Sequence, residues 1–106
     1  MAQIIWTEPA LTDLSEIAEY IALDKISAAQ RLVGHVFSSV ERLEMFPESG
    51  RVPPELEQSK YREVIVGPCR VFYRIDQSNV YILYVMRGER QLRNYLLEER
   101  AEESGV

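Results

Sequence analysis

Residues 61–87 place three strand-like runs end to end with almost no chain between them, and this spacing constrains the fold more than any other feature. Tyr61–Val66 (YREVIV), Cys69–Asp76 (CRVFYRID) and Val80–Arg87 (VYILYVMR) are rich in β-branched and aromatic residues. Gly67-Pro68 separates the first two runs, and Gln77-Ser78-Asn79 the second two. Connections this short leave no room for a crossover, so the three runs form an antiparallel meander.

The first half of the chain has the other periodicity. From Ala10, apolar residues fall at Leu11, Leu14, Ile17, Ala18 and Ile21, with Asp13, Glu16 and Glu19 between them. Spacings of three and four give one helical stripe, and Pro9 suits a helix start because its missing N–H would be unpaired there anyway. The spacing predicts a helix over 9–23. After Asp24-Lys25-Ile26, the run Ser27-Ala28-Ala29-Gln30 has the form of a capping box. Leu32, Val33, Val36, Phe37, Val40, Leu43 and Phe46 carry a second stripe as far as Pro47, which disfavours helix before it. Two amphipathic helices with a short break make an antiparallel hairpin. Residues 47–60, with three prolines and a glycine, read as a loop. Gln3–Trp6 (QIIW) is a short strand, Gln91–Arg100 a final helix, and 101–106 a tail expected to fray.

The resulting order is β-α-α-β-β-β-α. It implies an α+β two-layer fold, with the helical hairpin on one face of a mainly antiparallel four-stranded sheet. The 106 residues suffice for one domain and no more. Strict alternation places Val71, Tyr73 and Ile75 beneath the hairpin, together with Val80, Ile82, Tyr84 and Met86. It gives Arg70, Phe72 and Arg74, with Tyr81, Leu83, Val85 and Arg87, to the opposite face. Only the final helix can cover that face, so the expectation is a partly open apolar groove at Phe72, Leu83 and Val85, ringed by arginines.

Charge is divided along the chain. Residues 1–59 carry 4 basic and 10 acidic groups, and residues 60–100 carry 8 basic and 5 acidic. The net charge of −5 argues against a non-specific nucleic-acid binder, while the basic second half marks where a functional face belongs. A single cysteine, Cys69, excludes an intrachain disulfide and fits the cytoplasm; no apolar run approaches a membrane span. One histidine and one cysteine cannot make a structural zinc site. His35 lies on a polar helix face and Cys69 at a strand start, so neither reads as catalytic. The arginines Arg62, Arg70, Arg74, Arg87, Arg90 and Arg93 are the chemically distinctive group. Their planar forks suit phosphate or carboxylate, and rim pairing with Glu63, Asp76 and Glu89 is the structural alternative.

Four segments, in this order, resemble the RelE/ParE toxin superfamily of bacterial type II toxin–antitoxin systems. They are IIWTEPALTDLSEIAEYIA, RLEMFPESGRVPPE, YREVIVGPCRVFYRID and VYILYVMRGERQL, and they cover nearly the whole chain. The resemblance implies the small RelE/ParE-like toxin fold. RelE-like members are ribosome-dependent mRNA endoribonucleases, whereas ParE-like members inhibit DNA gyrase. In the RelE pattern, Arg70 matches a phosphate-binding arginine and Arg90 the arginine that acts as general acid. Arg62 stands where the family has a lysine, Val64 where it has a second one, and Tyr95 reaches the tyrosine position with a shift of one residue. Valine can neither take a proton nor stabilise a phosphorane. The long hairpin and FPESGRVPPE are closer to ParE, which favours a gyrase inhibitor with no committed catalytic residue. The resemblance further implies a cognate antitoxin partner in a hetero-oligomer and no cofactor. Arg70, Phe72, Arg74, Leu83, Val85, Arg87 and Arg90 are the antitoxin-binding candidates. A ribonuclease acting on ribosome and mRNA, and a non-toxic antitoxin-binding module, are the alternatives.

Overall fold

The computed structural model describes residues 1–106. Strand β1 (Gln3–Trp6) leads into helix α1 (Glu8–Ala22) and helix α2 (Ile26–Glu41). Strands β2 (Tyr61–Val66), β3 (Cys69–Asp76) and β4 (Asn79–Arg87) follow, and helix α3 (Asn94–Glu103) closes the chain. The sheet order is β1-β4-β3-β2. The meander is antiparallel, while β1 lies parallel to β4 in register Gln3 to Asn79 through Trp6 to Ile82. The expected element order and layering are therefore present.

Local chemistry explains the element ends. Thr7 caps α1: its Oγ1 accepts the Ala10 N–H (3.4 Å) and donates to the Ile82 carbonyl (2.7 Å), tying the helix start to β4. The capping box expected at Ser27 does not form. Helix α2 already starts at Ile26, extended Lys25 occupies the cap position, and no side chain caps it. At the other end α2 stops at Glu41 and tightens into a 3-10 turn over Arg42–Glu44. The apolar stripe accordingly ends at buried Leu43, and Phe46 lies exposed. Gly67 turns β2 into β3 at φ +56, a conformation that favours glycine.

Two cores lie on the two sheet faces. Under the hairpin, Leu14, Leu32, Val36, Val40 and Leu43 pack on Val71, Tyr73, Val80, Ile82 and Val85. On the other face, Tyr61, Phe72, Leu83, Tyr84 and Met86 pack on Leu97 and Ala101 of α3. This distribution corrects the strict alternation on β4. Phe72 stands opposite Tyr84 and Tyr73 opposite Ile82, so Leu83 has no counterpart and forms a β-bulge. Beyond the bulge the faces exchange. Tyr84 and Met86 join the α3 core, and Val85 turns to the hairpin.

The expected open groove is absent. Phe72 and Leu83 are fully buried and Val85 nearly so, the first two beneath α3. An aspartate at Phe72 or Leu83 would consequently test folding and not docking. The expected frayed tail is also replaced. Helix α3 continues to Glu103, Ala101 is buried, and the Val106 N–H bonds the Ala101 carbonyl at 2.9 Å.

Loop 47–60 is fastened to the sheet at several points. The Tyr73 hydroxyl donates to the Pro47 carbonyl (2.7 Å) and accepts the Gly50 N–H (2.9 Å). A Cβ on Gly50 would lie 2.5 Å from that hydroxyl, so only glycine fits this approach. Arg51 and Glu63 exchange two backbone hydrogen bonds along the outer edge of β2.

Candidate functional site

The arginines singled out by the sequence are dispersed over the two faces and several edges. Arg62 stands opposite Tyr73 in the β2–β3 register, on the hairpin face. Its Nη1 donates to the Glu48 (3.2 Å) and Gly50 (2.8 Å) carbonyls, clipping the loop to the sheet. Arg70 lies on the other face with its guanidinium 5.0 Å from the centre of the Phe72 ring.

Arg70 sits between two carboxylates. Its Nε and Nη2 donate to Glu63 at 2.6 and 3.1 Å, and its Nη1 and Nη2 to Glu55 at 2.7 and 2.8 Å. Glu63 is 1% exposed and is also held by Arg51 Nε at 2.9 Å. The chain thus forms a cluster of two arginines and two glutamates, each charge answered by an opposite one. The Arg70 hydrogen bond is the main cause that lowers the Glu55 carboxyl to about pKa 2. The same two carboxylates push the Arg70 guanidinium further up, so it stays charged at any working pH. Of the rim pairs expected from sequence, Arg70–Glu63 is present but buried and Arg87–Glu89 (2.7 Å) is present; Asp76 pairs with no cation.

Arg87 does not share a face with Arg70 and Arg74. Beyond the bulge it turns toward α1, where its guanidinium stands 5.5 Å from the centre of the Tyr20 ring. With Arg90 it lines a cavity of about 470 Å³ between α1 and the end of β4, which Ile17, Tyr20, Met86 and Glu89 also border. Arg74 stands with Glu98 beside the buried Tyr61 hydroxyl; burial first, then the Glu98 charge, pushes that phenol up. Tyr95 is mostly exposed and lines a separate cavity with Lys60, Tyr61 and Glu98.

A second ion pair was not legible as such in the sequence. Arg100 of α3 donates to both Asp13 oxygens (2.6 and 3.2 Å) and to the Leu83 carbonyl (3.0 Å). Asp13 also accepts the Val85 N–H at 3.0 Å. Strand β1 ends before reaching this part of β4, and the two side chains take the place of a neighbouring strand. The signals were present separately. Asp13 interrupts a helical stripe, and Glu63 falls at an inward position of YREVIV, but their partners are distant in sequence.

No group of three or more histidine, cysteine, aspartate or glutamate residues could hold a metal. No helix is long and apolar enough to cross a membrane. Over residues 4–92 the chain matches the model of the ParE toxin of the parDE type II toxin–antitoxin system.

The chain belongs to the ParE toxin family. Within it, the chain is similar to toxin RelE2 of Caulobacter vibrioides, with 34% identity covering 85% of this chain and 99% of that protein. It is similar to the putative toxin Y4kP of Sinorhizobium fredii at 37% identity, covering 84% of this chain and 91% of that one. Among solved structures, the chromosomal ParDE toxin–antitoxin system of P. aeruginosa superimposes with a TM-score of 0.70 at 25% identity. That match covers 84% of this chain and 98% of the other. The toxin–antitoxin complex RelBE2 of Mycobacterium tuberculosis shares the fold, with a TM-score of 0.55 at 24% identity over 81% of this chain and 96% of that one. These matches bear out the RelE/ParE-like fold and the toxin–antitoxin assignment read from the sequence.

Proposed function

We propose that this ParE-family chain inhibits DNA gyrase and is held inactive in the cytoplasm by a cognate antitoxin bound as a hetero-oligomer. One observation carries the gyrase reading over the ribonuclease one: the four residues a RelE-type site would need do not converge. Arg62 and Arg70 lie on opposite faces of the sheet. Arg70, Arg90 and Tyr95 line three different cavities. Cleavage by the 2′-hydroxyl needs a proton acceptor and positive charge at one phosphate. Here Arg70 is neutralised by two carboxylates, and Val64 offers no proton acceptor.

For the antitoxin, the candidate set divides by burial. Phe72, Leu83 and Val85 build the cores, and Arg70 is engaged within the chain. Arg74, Arg87 and Arg90 retain exposed surface. The cavity at Arg87 and Arg90, with Ile17 and Tyr20 beside it, suits an antitoxin segment that combines apolar and acidic side chains.

The test uses the purified chain without antitoxin, in plasmid supercoiling by gyrase and in cleavage of mRNA on programmed ribosomes. The expected result is loss of supercoiling with the mRNA intact. Intact supercoiling together with A-site cuts that Arg90→Ala abolishes would overturn the reading in favour of the ribonuclease. Silence of folded protein in both assays would overturn it in favour of a non-toxic antitoxin-binding module.

A further inference from the structure

The outer edge of β2 is covered at one residue and open at the next available one. Glu63 exchanges its backbone N–H and C=O with Arg51 at 2.8 and 3.0 Å. Ile65, two residues on, turns its backbone groups the same way, and no segment outside the sheet bonds to them. Its side chain is 51% exposed, and Val52 is also exposed. A cavity of about 390 Å³ opens at this edge, bordered by Arg51, Pro54, Glu55, Ile65 and Arg70.

The two carboxylates on Arg70 have different surroundings. Glu63 is fully enclosed and pairs with Arg51 as well. The Glu55 side chain is 44% exposed, lies on an irregular segment, and fills the outward fork of Arg70 through Nη1 and Nη2. Glu55 can leave without uncovering the core, and Glu63 would still neutralise Arg70 on its inner side.

We propose that this edge is a docking site for an extended acidic peptide segment of a partner protein, whose backbone pairs with Ile65 and whose carboxylate replaces Glu55 on Arg70. The fork already holds a carboxylate in bidentate geometry, which defines the ligand chemistry it accepts. Exchange of one carboxylate for another conserves charge at the cluster. Alternate side chains of an added strand would meet Ile65 and Val52. The net charge of −5 favours a single protein carboxylate over the polyanionic backbone of a nucleic acid. Glu55 then acts as an internal competitor that sets a threshold for docking. The proposal goes beyond the gyrase reading and does not depend on the toxin's target.

The test titrates the full-length chain with a short synthetic peptide that alternates valine and glutamate, followed by NMR of the Ile65 amide and the Arg70 Nε–H. Glu55→Gln is expected to bind this peptide about tenfold tighter than wild type, the scale of one charge-assisted hydrogen bond. The same peptide with glutamine in place of glutamate should not bind. Adding Ile65→Pro to Glu55→Gln removes an N–H that no ladder bond uses and should abolish binding, with Arg70 unchanged. Equal affinity of wild type and Glu55→Gln, or shifts away from Ile65 and Arg70, would overturn the proposal. So would an undiminished affinity in the Ile65→Pro double variant, or binding at Arg70 of a short oligoribonucleotide in preference to the acidic peptide.

Discussion

Glu63 carries a charge into a place where water does not reach, and its two arginine partners make that tolerable. Removing one member of such a cluster leaves the others buried and unpaired, which costs far more than the cluster adds when intact. Glu63→Gln is therefore expected to lower folding stability by about 3 kcal/mol, measured as the shift of the urea midpoint. A loss below about 1 kcal/mol would place this pair in the class of solvated surface bridges. The cluster was only half legible in the sequence. Glu63 was visible as a possible rim partner, but Arg70 and Glu55 lie 15 residues apart, and nothing local announces that they meet. The bulge at Leu83 was illegible for a related reason. The run VYILYV contains no charged residue to fix which side chain faces which core, so strict alternation was the only reading available.

At the scale of elements, helices α1 and α2 and the three meander strands were legible because each carries its own period and its own stop signals. Helix α3 was less so. It starts at Asn94 instead of Gln91, and only Leu97 and Ala101 are buried from it. Its hold on the sheet depends strongly on Arg100, which joins Asp13 of α1 and the Leu83 carbonyl. Arg100→Met is expected to cost about 2 kcal/mol, the range of a hydrogen bond to a charged group. It should accelerate hydrogen exchange at Leu97 and its neighbours more than in β3. Uniform acceleration across the chain would mean that α3 has no separate opening and unfolds only with the whole domain.

For the whole molecule, the same ions make stability depend on pH. Glu55 has a folded pKa of about 2, below its ordinary value of 4.5. A depressed carboxylate contributes stability above its unfolded pKa, and the contribution is lost as pH falls through the folded one. The stability difference between wild type and Glu55→Gln should thus be full at pH 7 and decline steadily from pH 4.5 toward pH 2. Denaturant midpoints of both proteins across that range would check it. A difference that stays constant in acid would mean that the Glu55 charge does not act through Arg70. The two-layer architecture, and with it the family, could be read from the order of the segments. The closure of the second face could not, because it rests on one short helix whose burial pattern is sparse.

Strand β4 serves two interiors with one run of residues, and it does so by an error of parity. The odd residue, Leu83, lets the first half of the strand feed the hairpin core and the second half offer Tyr84 and Met86 to α3. The same odd count decides where the cation at the strand end emerges. Arg87 comes out beside Tyr20 on α1, separated by the thickness of the sheet from Arg70. A single-residue deletion at this point would restore even counting, exchange the occupants of both cores and carry Arg87 to the other side of the molecule. The charge pattern this protein shows a partner is in that sense written by one residue that bears no charge.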